Sequence, residues 1–133
     1  MSQPAITVIC GLIRNHHKQV FLARRAPHKE HAGFWEFPGG KLEPGELHEA
    51  CLKRELLEEL DMTVEVGPRA GDTHHAFENF SIHLIAYHCS FISASYQLSD
   101  HDQYAWVPAH QLLDYHLAAS DVVLAQLLSA SKE

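Results

Sequence analysis

Glu55, Glu58 and Glu59 stand at i, i+3 and i+4 within Leu47–Leu60, the segment of the chain that reads best as a helix. On a helix that spacing crowds three carboxylates onto one face. Each like-charged pair costs the helix a few tenths of a kcal/mol, about 0.2–0.5. A hard divalent cation among the three removes that repulsion. Mg²⁺ suits such a site: it takes oxygen ligands, keeps several waters and is commonly shared with substrate phosphates. The helix alone also fits a plainer description, a solvated acidic face. Leu52, Leu56 and Leu60 form an i, i+4 apolar row on a different side, interrupted by Glu49 and Lys53.

Just upstream, Trp35-Glu36-Phe37-Pro38-Gly39-Gly40-Lys41 brings aromatic side chains up to a double glycine. A P-loop does not fit it, because Trp35 stands where the first glycine belongs and Leu42 where a Ser or Thr would hold the metal. The three cysteines, Cys10, Cys51 and Cys89, are odd in number and without CxxC spacing. They read as buried structural thiols in a reducing, cytoplasmic setting. Histidine is over-represented, at 12 residues, but scattered. With no HExxH and no helical i, i+4 pair, a dedicated zinc cluster is not expected.

The elements that must position these groups can be read around them. Ile6–Ile13 is β-branched and reads as a buried strand, returning through a polar turn at Arg14–Lys18 into a second strand, Gln19–Arg24. Arg25–Gly33 is a polar loop. After the carboxylate helix come strands at about Thr63–Val66, Gly71–Phe77 and Phe80–Ser90, the last alternating in period two. An irregular acidic loop at Ser95–Gln103 precedes a strand at Tyr104–Val107. Pro108 opens a short helix to Tyr115, and Ser120-Asp121 are expected to cap a final helix, Val122–Ser131. Strands interleaved with two principal helices predict a mixed sheet covered on both faces, in one domain spanning residues 1–133.

The chain of 133 residues is 46% apolar and 20% charged, enough to build one core. The longest near-apolar stretch, Ala5–Ile13, is too short to span a bilayer, and no Lys or Arg precedes it as a secretory leader would require. The net charge is −7. Residues 36–61 contain eight acids and three bases and so contribute −5 of it. The acidity belongs to one segment. It argues against a nucleic-acid polymer as partner and is compatible with a small anion that arrives with divalent cations.

The segment from Gly40 to Met62 resembles the signature of the Nudix hydrolases, G-x5-E-x7-R-E-U-x-E-E-x-G-U with U a bulky aliphatic. Eight of its nine fixed positions are met here, by Gly40, Glu46, Arg54, Glu55, Leu56, Glu58, Glu59 and Met62. The departure is Asp61 in place of the glycine, a position expected to end the helix in the left-handed conformation, which Asp tolerates at up to about 1 kcal/mol. The likeness extends to the MutT-like branch over nearly the whole chain: IRN in the first strand, ARRA before the loop, GFWEFPGGKLEPGE before the helix, and Trp106-Val107-Pro108 with Leu117–Asp121 in the tail.

The resemblance implies an α+β Nudix fold, an α/β/α sandwich around a mixed sheet. It implies a cytoplasmic nucleotide-pool enzyme of the DNA-repair kind that splits a nucleoside triphosphate, its base normal, oxidised or otherwise modified, into monophosphate and pyrophosphate. Mg²⁺, with Mn²⁺ as substitute, would be held by Glu55, Glu58 and Glu59 with a carbonyl of Gly39 or Gly40. Asp100, six residues before Trp106, is a further acid near the metal. Glu46 and Arg54 would pair to hold the helix against the preceding loop, and Glu55 or Asp100 would activate the water. Arg25 and Lys41 are candidate phosphate contacts. Glu36, Phe37, Phe77, Phe80 and Asp121 are candidates for the base pocket. As an ionised acid Asp121 would only accept hydrogen bonds, which suits donors such as the cytosine amine or the guanine N1 and N2 hydrogens. Two other readings stand beside this one: hydrolysis of another nucleoside diphosphate derivative, and a catalytically silent nucleotide-binding module. Monomer and homodimer are both compatible with the sequence.

Overall fold

The computed structural model describes residues 4–130. The central strand, β1 (Ala5–Arg14), is flanked on one side by β6 (Ser81–Ala94), parallel to it over the whole length from Ala5↔Ser81 to Arg14↔Ser90. β5 (Met62–Ala76) lies antiparallel outside β6. On its other side β1 meets β2 (Gln19–Arg25) only at Arg14↔Val20; beyond that point the two diverge, and β4 (Gly39–Lys41) fills the gap against Val8–Cys10. β2 also carries β3 (Trp35–Glu36) and β7 (His101–Pro108). The sheet is therefore mixed, with seven strands among the described residues.

Period-two alternation along β1 and β6 sends side chains to two cores. Ile9, Ile13 and Ile85 face helix α1 (His48–Leu60), which buries Cys51, Leu52, Leu56 and Leu60 against them. Cys10, Leu12, Leu84 and Ala86 face the opposite layer, helix α2 (Ala119–Ala130) and a 3-10 helix at Ala109–Asp114. Removing one fully buried leucine such as Leu56 would cost about 2–5 kcal/mol. The α/β/α sandwich and the interrupted leucine row of α1 are as expected.

Several boundaries differ, each for a physical reason. Thr63–Val66 and Gly71–Phe77 are one strand, because bulges between Thr63 and Gly71 absorb the glycine- and proline-containing stretch without breaking the pairing with β6. β7 begins at His101 rather than Tyr104, since Arg25 pairs across a bulge with His101. Ser120 and Asp121 do not cap the last helix. It starts at Ala119, and the Asp121 N–H donates to the Ala118 carbonyl at 2.9 Å, placing Asp121 inside the first turn. Ser131, the expected last residue of that helix, lies outside the described residues. At the end of α1, Asp61 takes φ 49°, ψ 47°, the left-handed conformation expected of it, and its carboxylate accepts a 2.6 Å hydrogen bond from Ser95 Oγ. All three cysteines are free and buried. Burial pushes the thiols up, Cys51 to about 11 and Cys89 to about 12, so they are not poised as nucleophiles.

Candidate active site

The leucine row of α1 turns its acidic face toward β4. Arg54 organises that face. Its Nε and Nη2 donate to the two oxygens of Glu46 at 2.8 and 3.0 Å, a bidentate clasp, while Nη1 donates to Glu55 Oε2 at 2.8 Å and to Glu58 Oε1 at 3.0 Å. The Glu43 N–H donates to Glu46 at 3.1 Å, so Glu46 ties the pre-helix turn to the guanidinium. The Arg54 hydrogen bonds hold the Glu46 carboxyl down at about 2. The fan also sorts the three helix acids: Glu58 is turned outward onto Arg54 and largely exposed, whereas Glu55 and Glu59 are directed inward.

Gly40 is the cradle for Glu55. A Cβ there would lie 2.1 Å from the Glu55 carboxyl carbon. Gly39 is fixed for another reason, since a Cβ on it would sit 1.9 Å from the Ile9 carbonyl oxygen, inside the β1–β4 seam. Glu59 lies behind Glu55. Desolvation, a hydrogen bond shared with Glu55, and the charges of Glu55, Asp100 and Glu36 raise its carboxyl well above the ordinary range. The oxygens of Glu55 and Glu59 form a hard donor set, with Gly40 packed against Glu55. Among the described residues Glu59 has no ion-pair partner of its own, and a divalent cation fits that need.

An adjoining cavity of about 430 Å³ opens on the α2 side of the sheet, floored by Ile6, Val8, Ile82 and Leu84. Arg25, Glu36, Phe37, Gly39, Gly40, Lys41, Phe77, Phe80 and Asp121, all singled out in the sequence, line it together. Lys41 is exposed at the rim and, among the described residues, has no ion-pair partner. Arg25 is committed: Nε donates to the Glu30 carbonyl at 2.8 Å and Nη1 meets Glu36 Oε2 at 3.3 Å. Phe77 and Phe80 lie just outside the strands expected to hold them, flanking the Glu78-Asn79 turn with their rings stacked at 4.8 Å. Asp100, at the end of the loop, is ion-paired with Lys29 at 3.5 Å, and its charge is among those that raise the Glu59 carboxyl.

Asp121 is brought to Glu36 and Phe37 by a short extension of β3. The Trp35 N–H donates to the His116 carbonyl at 2.8 Å, and the Ala118 N–H donates to the Trp35 carbonyl at 3.0 Å. The side chain is 4% exposed. Burial, and then the charge of Glu36, raise its carboxyl well above the usual range against an opposing hydrogen bond with the Phe37 backbone. Burial and Glu36 thus favour the protonated form, in which Asp121 would offer one donor and one acceptor where the sequence led us to expect an acceptor alone.

His101 was missed by the motif-based reading. Its side chain is fully buried, with Nε2 2.8 Å from Glu36 Oε2 and Nδ1 without a partner. A proton on Nε2 satisfies Glu36 and leaves only a bare lone pair orphaned, the lesser cost. His101 therefore fixes Glu36 from behind while Arg25 holds it from the side. No local pattern marks this role; only the register of β7 on β2 does.

The NUDIX domain family matches residues 9–126. The CTP pyrophosphohydrolase of Escherichia coli K12 is 34% identical over 125 residues, covering 94% of this chain and 92% of that protein. The 8-oxo-dGTP diphosphatase of Proteus vulgaris is 48% identical over 65 residues, 48% of this chain and 57% of that protein. The crystal structure of the MutT protein from Methanosarcina mazei Go1 superposes with a TM-score of 0.84 at 28% identity, covering 96% of this chain and 93% of that one. With the signature helix, its glycine cradle and the mixed-sheet sandwich in place, these matches show that the chain belongs to the NUDIX domain family and is a Nudix hydrolase.

Proposed function

We propose that this enzyme hydrolyses a nucleoside triphosphate to the monophosphate and pyrophosphate, with Mg²⁺ as its cofactor and Mn²⁺ as a substitute. The observation that carries the reading is the junction at Gly39-Gly40. Gly40 packs against the Glu55 carboxyl, and Gly39 and Gly40 also line the cavity that the buried Asp121 lines. In this reading the phosphates lie at the Gly39-Gly40 side, next to the carboxylates, and the base lies toward Asp121.

Bound Mg²⁺ would neutralise phosphate charge and lower the pKa of a coordinated water. Glu55 and Glu59 are its proposed ligands, with Gly39 or Gly40 carbonyls beside them and Glu58 at the periphery. Arg54 and Glu46 hold Glu55 in place. Of the two Lys/Arg side chains among the described residues that line the cleft, Lys41 has no ion-pair partner and would meet phosphate; Arg25, held by Glu36 and Glu30, serves chiefly to orient Glu36. Glu55 and Asp100 are the candidate bases, Asp100 at the cost of its pairing with Lys29. Phe77 and Phe80 spend one face each on the other, so a base stacks on the outer face of the pair. With its carboxyl raised by burial, a protonated Asp121 would match any base edge that carries a donor beside an acceptor. The names of the relatives supply the two arms to try first, cytosine and oxidised guanine.

A panel of ribo- and deoxyribonucleoside triphosphates, normal, oxidised and methylated, incubated with Mg²⁺ and followed by product analysis, tests the proposal. Monophosphate plus pyrophosphate is expected, with one base strongly preferred. Orthophosphate release, or turnover unaffected by chelating the metal, overturns it. Glu59→Gln should abolish turnover with the melting transition preserved.

A further inference from the structure

On the face of the sheet opposite the cleft, Asp72, His74 and His83 converge. His74 and His83 are directly opposed in the β5–β6 register, and Asp72 stands two residues before His74 on the same side of β5. His83 alternates with Ile82 and Leu84, whose side chains floor the cleft, so it projects from the other side. The two imidazoles are stacked with centroids 4.1 Å apart and planes 11° from parallel. His83 Nε2 lies 2.5 Å and His74 Nε2 3.8 Å from Asp72 Oδ2, and one ligand atom from each of the three lies within 4.8 Å of the others.

We propose that Asp72, His74 and His83 form a second metal site, for a borderline divalent transition metal such as Zn²⁺, separate from the carboxylate centre on α1. Two nitrogens on one tetrahedral Zn²⁺ at Zn–N of about 2.0–2.1 Å are themselves about 3.3 Å apart, within reach of the present arrangement by side-chain rotation. Two imidazoles and one carboxylate leave a fourth position for water. Nitrogen donors select against Mg²⁺, so the two sites sort their ions by ligand type. Arg69 Nη2, 3.5 Å from the same Asp72 oxygen, is the cation the metal has to displace or share with. His75, next to His74, lines the cleft, and the strand ends in the turn bearing Phe77 and Phe80. A metal at this site therefore clamps the β5–β6 hairpin from behind the aromatic lip.

The test is Zn²⁺ binding to the full-length protein by competition with a chromophoric chelator, in excess Mg²⁺, with melting temperature followed in parallel. One equivalent should bind to the wild type and to Glu59→Gln alike, and Zn²⁺ should raise the melting temperature of both. His74→Ala and His83→Ala should weaken that equivalent at least roughly tenfold and lose the thermal shift. His74 is exposed and its truncation leaves the core intact, so the outcome does not hinge on folding. Undiminished binding in both histidine variants, or no equivalent in excess Mg²⁺, overturns the proposal. An equivalent lost in Glu59→Gln but kept in the histidine variants assigns Zn²⁺ to the carboxylate centre and overturns it as well.

Discussion

The carboxyl of Glu55 lies against the bare α-carbon of Gly40, in space that a single methyl group would occupy. The two residues are 15 positions apart, on α1 and β4, and the contact locks the acid of one element onto the backbone of the other. What yields when that space is filled is the end of a flexible side chain. Gly40→Ala should therefore fold with a near-normal melting temperature while Glu55 swings away. A displacement of about 1 Å at such a centre costs on the order of 10²-fold in kcat/KM. Gly39→Ala meets backbone instead and should lose stability. Steady-state kinetics set beside thermal melts of the two variants check the contrast.

Glu46 carries a prediction about acid. Its carboxyl titrates at about 2 in the folded protein because Arg54 holds it, against about 4.3 in an unfolded chain. With the folded value depressed, the pair's contribution is fully present above about pH 4.3 and is lost as pH falls from there through about 2. Wild type and Glu46→Gln should accordingly converge in stability on acidification and separate above it, as denaturant melts across that range would show. At neutral pH, Glu46→Gln loosens Arg54 and with it Glu55, and activity should fall by roughly 10- to 100-fold.

Much of this site was legible before any coordinates, for reasons visible at particular residues. The i, i+3, i+4 spacing of Glu55, Glu58 and Glu59 is a local fact that helix geometry converts directly into a shared face. The left-handed turn at Asp61 was expected from the glycine that the family signature carries at that position. The sequence could not show that Arg54 draws Glu58 outward and leaves Glu55 and Glu59 within, because that depends on side-chain rotamers around one guanidinium. Nor could it show the upward shift of the Asp121 carboxyl, which comes from burial beside a residue 85 positions away. The joining of two expected strands into β5 escaped for a similar reason: bulges are decided by the partner strand.

His101 is expected to act through Glu36. Its Nε2 contact holds one carboxylate oxygen, and a hydrogen bond to a charged group is worth about 1.5–3 kcal/mol. His101→Ala should lower kcat/KM by roughly 10- to 100-fold, mainly through KM. His101→Gln, which can still donate, should recover part of the loss. If the role of His101 is only to fill space, the two variants will instead follow their melting temperatures, and His101→Leu will restore activity as well as Gln does.

Asp121 makes the most discriminating prediction because its protonation and its chemistry are linked. An unfolded aspartate ionises at about 3.9, whereas burial and Glu36 push the folded carboxyl well above that. From about pH 4 upward the unfolded state therefore releases a proton that the folded state retains, and stability declines with rising pH until the folded group itself ionises. Asp121→Asn removes this titration while keeping one donor and one acceptor in nearly the same shape. It should melt higher than wild type at neutral pH, match it near pH 4, and retain turnover within a fewfold. Asp121→Leu should also be stabilised at neutral pH but lose discrimination among bases, since nothing remains to pair with the base edge. Thermal melts between about pH 4 and 8, with the same triphosphate panel applied to both variants, separate the two effects. Equal melting of wild type and Asp121→Asn across that range would mean that Asp121 is ionised in the fold and reads the base as an acceptor alone.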